Sequence, residues 1–469
     1  MIPLTLAEVA SATGGRLDAG ADPAVRVTGP VVTDSREIGP GGLFVARQGE
    51  AQDGHDFASA AVSAGAVAVL AARPVGVPAV VVDDTEAAFG RLARAVVDRL
   101  PSLTVVGVTG SSGKTTTKDL LAHVLEPLGP LVAPPGSYNS EVGVPLTVTR
   151  VDGDTRTLVV EMGARGPGHI AYLCGIAPPR VGLVLNVGSA HLGEFGNRET
   201  IARTKAELVE ALPPADSGGV AVLNADDPVV RRMAEQTSAQ VVMVGESVHA
   251  DVRAEDVAVD DGGRASFQLV TADGTAQVSL RLVGEHQVSN ALAVAAAALA
   301  LGMPLPDVAA RLSSALPRSR WRMEVTERPD GVTVVNDAYN ANPESMRAAL
   351  KTLVSLRRGE PGAEAGRTWA VLGEMRELGE SSVAEHDAIG RLAVRLNVSR
   401  LVAVGDGARA IHQGATLEGS WDGESEWVPD VDAALALLRA ELRPGDVVLV
   451  KSSRDSGLRF LGERLVEDK

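Results

Sequence analysis

Two glycines, a lysine and a run of hydroxyls close an apolar stretch: residues 105 to 118 read Val-Val-Gly-Val-Thr-Gly-Ser-Ser-Gly-Lys-Thr-Thr-Thr-Lys. These types at this spacing suit phosphate binding. Gly110 and Gly113 let backbone N–H groups face an anion where a helix begins, Lys114 can reach the β- and γ-phosphates, and Thr115 offers a hydroxyl to magnesium. Ser111, Ser112 and Thr116 complete the loop. The generic G-x-x-x-x-G-K-[ST] pattern is missed by one position, because Val108 stands where its first glycine belongs. An incidental glycine-rich turn is the competing reading. Glu161 ends the apolar run Leu158-Val159-Val160, where a carboxylate either faces a phosphate-bound cation or bonds a neighbouring helix cap. His191 follows Asn186-Val187-Gly188-Ser189-Ala190, and a lone histidine is more often a packing residue than a ligand. Lys205, in Thr204-Lys205-Ala206-Glu207, reads on pattern alone as an exposed helical lysine. Farther on stand Arg322 and the loop Asn336-Asp337-Ala338-Tyr339-Asn340-Ala341-Asn342-Pro343, which gathers an acid, a phenol and several amides for either a ligand or an ordinary turn. His286 and Asn290 share a helix face, where Asn290 can read a base edge or satisfy a backbone group.

These residues need strands and helices to hold them. Leu103 to Val108 suits a strand covered on both faces, and Leu120, Leu121, Val124, Leu125 and Leu128 recur at helical spacing after the loop. Before it, Thr5-Leu6-Ala7-Glu8 is a capping box opening a helix that stops at Gly14-Gly15, short strands alternate with helices, and an arginine-rich helix from Phe89 to Leu100 ends at Pro101. After it, apolar strands at 158–160, 181–187 and 220–223 each end in polar or glycine-rich residues, the places where ligands gather in an open parallel sheet. From 252 to 283, short alternating strands with Asp-Gly turns predict an antiparallel patch, and a helix near 288–301 closes the region. Pro317 makes a hinge. Beyond it, strands at 332–335, 368–372, 401–404 and 446–450 alternate with helices near 343–353, 384–396 and 431–442, a second doubly wound unit.

At 469 residues the chain is too long for one core, and about 100–200 residues per domain gives about three. The expected divisions are 1–101, 102–316 and 317–469. A formal charge of −16 argues against a nucleic-acid or anionic-membrane partner, so small molecules are favoured. The N-terminus lacks a secretory pattern, and Ala291 to Leu301 is too short to span a bilayer, so a cytoplasmic protein with no membrane insertion is expected. The single cysteine, Cys174, excludes an internal disulfide and reads as a buried thiol.

Together these residues resemble the Mur ligases of peptidoglycan synthesis, over essentially the whole chain. The short loop G-x-x-G-x-x-G-K-[ST]-T of that family matches Gly107 to Thr116. The resemblance implies a three-domain α/β fold: a small UDP-MurNAc-binding domain, a central parallel-sheet ATPase domain with the phosphate loop, and a Rossmann-like C-terminal domain. It implies magnesium at two sites held through Thr115, Glu161 and His191, a carbamylated Lys205, and Arg322 reaching the nucleotide phosphates across the hinge. His286 to Asn290 is similar to an adenine-contacting segment with Gln287 in place of an asparagine, and Asp337, Tyr339 and Asn340 fall with the nucleotide. Ser35, Arg36, Asp53, Gly54 and His55 resemble the UDP-binding segments, while Asn139 resembles part of a substrate loop. The 337–343 loop, Leu372-Gly373-Glu374-Met375-Arg376-Glu377-Leu378-Gly379, and Lys451, Ser453 and Arg454 are similar to the member that adds D-alanyl-D-alanine, with Ser452 replacing a glycine. The implied reaction is ATP-dependent joining of UDP-MurNAc-tripeptide and D-Ala-D-Ala through an acyl phosphate, by a monomer. A ligase adding the third peptide residue, a folylpolyglutamate-synthase-like ligase and a non-catalytic nucleotide-binding regulator are the alternatives.

Overall fold

The computed structural model describes residues 1–49, 52–188, 192–356, 366–419 and 424–467. Its central sheet has nine strands in the order Leu131–Val132, Thr157–Glu161, Thr104–Thr109, Val181–Val184, Val220–Asn224, Gln240–Gly245, Val252–Val259, Arg264–Thr271 and Gly274–Val283. Pairing is parallel as far as Val252–Val259 and antiparallel for the last two strands. The antiparallel patch foreseen for 252–283 therefore extends the parallel sheet. Thr104–Thr109 lies at the point where strand order reverses, with Thr157–Glu161 on one side and Val181–Val184 on the other. A crevice opens there at the carboxyl ends. Valines 105, 106 and 108 are buried, as an apolar strand covered on both faces requires.

The C-terminal sheet runs Glu324–Glu327, Thr333–Asn336, Val447–Lys451, Thr368–Leu372, Arg400–Val404 and Ser425–Val428, with only the first pair antiparallel. Its carboxyl ends carry the loops that follow Asn336, Leu372 and Lys451. The N-terminal region has a sheet of five strands, Arg16–Asp18, Ala79–Val81, Ala66–Ala71, Gly42–Val45 and Val31–Val32, beside a separate pair, Leu4–Thr5 with Arg26–Val27. Each large sheet draws its strands from one of the segments 1–101, 102–316 and 317–469.

The first two segments nevertheless share one core. Helix Thr85–Asp98 begins four residues before the arginine pattern suggests, because the Asp84 side chain accepts from the N–H groups of Glu86 and Ala87. Its Phe89, Leu92 and Val96 join Val144, Val148, Leu173 and Ile176 in a continuous apolar cluster. At Gly90 an added Cβ would stand 2.7 Å from the Tyr172 hydroxyl, so the glycine sets how closely this helix meets His169–Ile176. Cys174 is buried 3.6 Å from the Met162 sulfur, and desolvation pushes its thiol up to about 12. Among the described residues no helix is long and apolar enough to cross a membrane.

Candidate active site

The phosphate loop links Thr104–Thr109 to helix Lys114–Val124. Gly113 is the N-cap in a left-handed conformation, φ 82°, and a Cβ there would fall 2.4 Å from Asn290 Oδ1. Only glycine meets both demands. Asn186 clamps the loop from the neighbouring strand end: its Oδ1 accepts from Ser111 N and Ser112 N, both at 2.9 Å, and its Nδ2 donates to Ser112 O at 3.2 Å. Gly188 N donates to Ser111 Oγ at 2.9 Å. Half-buried Lys114 donates to Gly110 O at 2.7 Å, and Thr116 is half-buried in the first turn. Burial lowers the Lys114 pKa, with the Glu161 carboxylate opposing and the Arg322 charge adding to the shift.

Thr115 is the junction of the site. Its hydroxyl lies 3.0 Å from Glu161 Oε2 and 2.7 Å from Ser137 Oγ, and accepts from Arg322 Nη2 at 3.1 Å. Glu161 is 1% exposed and its other oxygen accepts from Asn139 Nδ2 at 2.8 Å. The carboxylate thus faces the phosphate-loop helix, and Asn139 holds it there. Lys205 is 7% exposed, which corrects the exposed-lysine reading: helix Arg198–Glu210 turns this face inward. Among the described residues its ammonium has no hydrogen-bond partner, and desolvation together with the Lys114 charge puts its pKa well below the usual lysine range. His191 lies outside the described residues. Among those described, no group of three or more His, Cys, Asp or Glu side chains stands together as a metal site.

Arg322 arrives from the C-terminal segment between two non-glycine residues of positive φ, Trp321 at 59° and Met323 at 48°. Such backbone strain needs support from the surroundings. Here Trp321 N donates to Glu324 Oε2 and Met323 N to Asp337 Oδ1, both at 3.0 Å. The Arg322 guanidinium also sits 4.1 Å over the Tyr339 ring and donates to Ser137 Oγ, while its buried Nε has no partner among the described residues. Asp337 and Lys451 form a buried pair at 2.5 Å, and Lys451 donates further to Asn340 O at 3.1 Å. These two groups brace the 337–340 loop. Asn342 caps helix Pro343–Ser355 and donates to Ser111 O at 3.3 Å, joining the two segments directly. Exposed Arg454 lies 5.6 Å from the Tyr339 ring. Ser453 N donates to Glu374 O, and Ser453 Oγ accepts from Arg376 N at 2.9 Å.

Asn290 is buried and donates to Gln287 Oε1 at 2.8 Å, and Gln287 continues to His286 Nε2 at 3.0 Å. With Thr117 Oγ1 at 3.4 Å from its Oδ1, Asn290 backs the phosphate loop. In the N-terminal segment Ser35 and Arg36 start a turn at the carboxyl end of Val31–Val32, with Asp34 accepting from the Arg36 backbone and guanidinium and the Arg36 side chain 87% exposed. Asp53 caps the turn through Gly54. Ala72 N donates to His55 Nε2 at 2.9 Å, so Nδ1 carries the ring proton and donates to Asp53 Oδ1 at 2.6 Å. Both nitrogens of buried His55 are engaged, so its imidazole shapes the loop.

Asn186, Ser137 and the Asn342 contact to Ser111 carry parts of the site that no spacing rule marks; the repeated placement of amides after apolar strands is the nearest signal. A phosphate loop at a sheet reversal, met by an arginine and an asparagine from a second α/β unit, defines a nucleotide site built between segments. Three family descriptions cover most of the chain: "Mur ligase family, catalytic domain" at residues 30–106, "Mur ligase middle domain" at 108–298 and "Mur ligase, glutamate ligase domain" at 321–454. The UDP-N-acetylmuramoyl-tripeptide–D-alanyl-D-alanine ligase of Mycobacterium tuberculosis is 53% identical over 100% of this chain and 98% of its own length. The crystal structure of MurF from Acinetobacter baumannii superposes with a TM-score of 0.88 at 33% identity, covering 99% of each chain. MurF ligase from Thermotoga maritima, solved in complex with ADP, gives 0.80 at 31% identity, covering 94% of this chain and 98% of that one. The chain belongs to the Mur ligase family.

Proposed function

We infer that the chain is an ATP-dependent ligase joining D-alanyl-D-alanine to UDP-MurNAc-tripeptide, giving UDP-MurNAc-pentapeptide, ADP and phosphate. The full-length likeness to proteins named for this reaction supports the substrates. The observation that carries the chemistry is the meeting of Lys114, Thr115, Glu161 and Arg322 at the switch point of the central sheet. In this reading residues 1–101 bind the UDP-MurNAc end, 102–316 bind ATP, and 317–469 close over the nucleotide and supply the dipeptide side. The protein is then a cytoplasmic monomer.

A carboxylate is a poor electrophile, so the tripeptide's terminal carboxylate first attacks the γ-phosphorus of ATP and ADP leaves. The dipeptide amine then attacks the acyl carbon, phosphate departs, and the amine loses its proton. No nucleophilic side chain is needed. Lys114 and Arg322 offset charge on the transferring phosphoryl group, where positioning and electrostatics are the protein's main contributions. The residues present fit a phosphate and a hard cation: among the described residues Arg322 Nε is buried without a partner, the Gly113 cradle excludes a Cβ, and the donors that Glu161 meets, Thr115 and Asn139, are neutral. Magnesium, held by Thr115, Glu161, His191 and the Lys205 group across two sites, would supply further charge neutralisation. Lys205 suits carbamylation because burial lowers its pKa, favouring the unprotonated amine that adds to CO2 with loss of a proton to give an anionic oxygen donor. The test is ADP release with UDP-MurNAc-tripeptide, comparing D-Ala-D-Ala with diaminopimelate, lysine and glutamate. Turnover only with the dipeptide is expected. Preference for diaminopimelate or lysine would instead establish a third-residue ligase.

A further inference from the structure

His386 is wholly buried in helix Ser382–Arg395, which follows the 372–379 motif, and has been given no role so far. Its Nε2 lies 2.8 Å from Met375 N, and its Nδ1 lies 2.7 Å from Ser382 O. A backbone N–H can only donate and a carbonyl can only accept, so Nδ1 carries the proton and Nε2 is the acceptor. Met375 is the middle of a loop, 373–379, tied on two further sides. Within the C-terminal segment, Gly373 N donates to Lys451 O, Ser453 N donates to Glu374 O and Arg376 N donates to Ser453 Oγ, each at 2.9 Å. Toward the central segment, Gly193 N donates to Glu377 O at 3.0 Å, and Gly193 and Gly379 meet backbone to backbone: a Cβ on Gly193 would come 2.7 Å from Gly379 N. Glu377 itself holds φ 63°, a strained value for a residue with a side chain.

We propose that His386 is the positioning residue of this loop, fixing through Met375 N–H the register between the Ser453–Arg454 segment and the central segment at Gly193. The ligase reading above supplies the substrate terms of this proposal, with the Ser453–Arg454 segment on the dipeptide side. A loop anchored at its centre transmits position to both ends, whereas one free at Met375 could satisfy Ser453 or Gly193 separately. The imidazole acts through the loop and touches no substrate.

Two readouts on the full chain test this. Hydrogen exchange of the free protein, read by mass spectrometry, needs no substrate: His386→Leu leaves a buried N–H without an acceptor and should speed exchange about tenfold in 373–379 and 452–456 together, sparing the helices Pro343–Ser355 and Val431–Glu441. His386→Gln, which keeps a neutral acceptor, should restore protection. In ADP-release assays His386→Leu should raise the KM for D-Ala-D-Ala about tenfold while the KM for ATP stays within about twofold. Unchanged exchange in either loop, or protection lost evenly through the C-terminal segment, would overturn the proposal, as would equal changes in both KM values. An inactive wild-type protein would refute the ligase reading instead, and the exchange result would still decide the role of His386.

Discussion

Lys114 and Lys205 share a side chain and a neighbourhood, yet their surroundings differ in what they offer an ammonium. Lys114 has a carbonyl to donate to and the Glu161 carboxylate nearby; Lys205 has burial and the repulsion of Lys114. Lys114→Ala should therefore fold normally and lose at least ~10²-fold in ADP release, the effect of removing a charge aimed at a transferring group. Lys205→Ala should be inactive and partly rescued by short-chain carboxylates that mimic carbamate oxygens; an exposed lysine would tolerate the change within about ±0.5 kcal/mol. An unmodified Lys205 in a nucleotide-bound crystal, or unchanged turnover of the variant, would remove the carbamate from the mechanism. His386 adds a pH dependence. Burial lowers its pKa below the ordinary 6.5, with the Glu374 and Glu385 carboxylates opposing. The unfolded chain then binds the proton more readily, so stability is full above about pH 6.5 and falls as pH drops toward the lower folded value. Urea titrations from pH 7.5 to 5.5 should give a smaller loss in His386→Gln than in wild type.

At the scale of elements, the phosphate loop has its shape imposed from outside by Asn186 and Asn290. Gly113→Ala would strain a left-handed residue by about 1–2 kcal/mol and drive a methyl into Asn290. Nucleotide affinity measured by calorimetry should fall at least tenfold, with the far-ultraviolet spectrum unchanged. Lys451→Met removes one partner of a buried ion pair and should cost about 3–5 kcal/mol in chemical denaturation, since Asp337 is left uncompensated. Much of this scaffold is legible in the sequence, because buried parallel strands such as Thr368–Leu372 and Val447–Lys451 are continuous apolar runs bounded by turns. The edge strands Glu324–Glu327 and Ser425–Val428 are short and polar, helix Arg409–Leu417 is short with Gly414 in its interior, and helix Leu458–Glu467 interleaves Arg459 and Arg464 with its apolar positions, so pattern leaves them unmarked. Within the site, Lys114 and Thr115 are legible from local spacing. The Asn186 clamp on Ser111, 75 residues away, exists only after the strands pair.

For the whole molecule the decisive contacts cross between segments. Arg322 meets Thr115 across 207 residues of chain and Asn342 meets Ser111 across 231, separations at which no periodicity carries information. In the proposed mechanism the machinery is split about Pro317, so closure would be a condition for chemistry and a closed site would keep water from the acyl phosphate. In this structure the C-terminal segment already meets the central segment, through Arg322 on Thr115, Asn342 on Ser111 and the Gly193–Glu377 bond. Three polar contacts of this kind, each worth about 0.5–1.5 kcal/mol, can bias an open–closed equilibrium without locking it. Substrates that bind both sides should complete the shift. Distances between labels on the central and C-terminal segments should narrow to one short population when an ATP analogue and UDP-MurNAc-tripeptide are added together. Asn342→Ala should move the ligand-free protein toward longer distances while leaving the fully liganded distance unchanged. If free and liganded distances coincide in wild type and the variant alike, the segments form one rigid body and closure plays no part in the reaction.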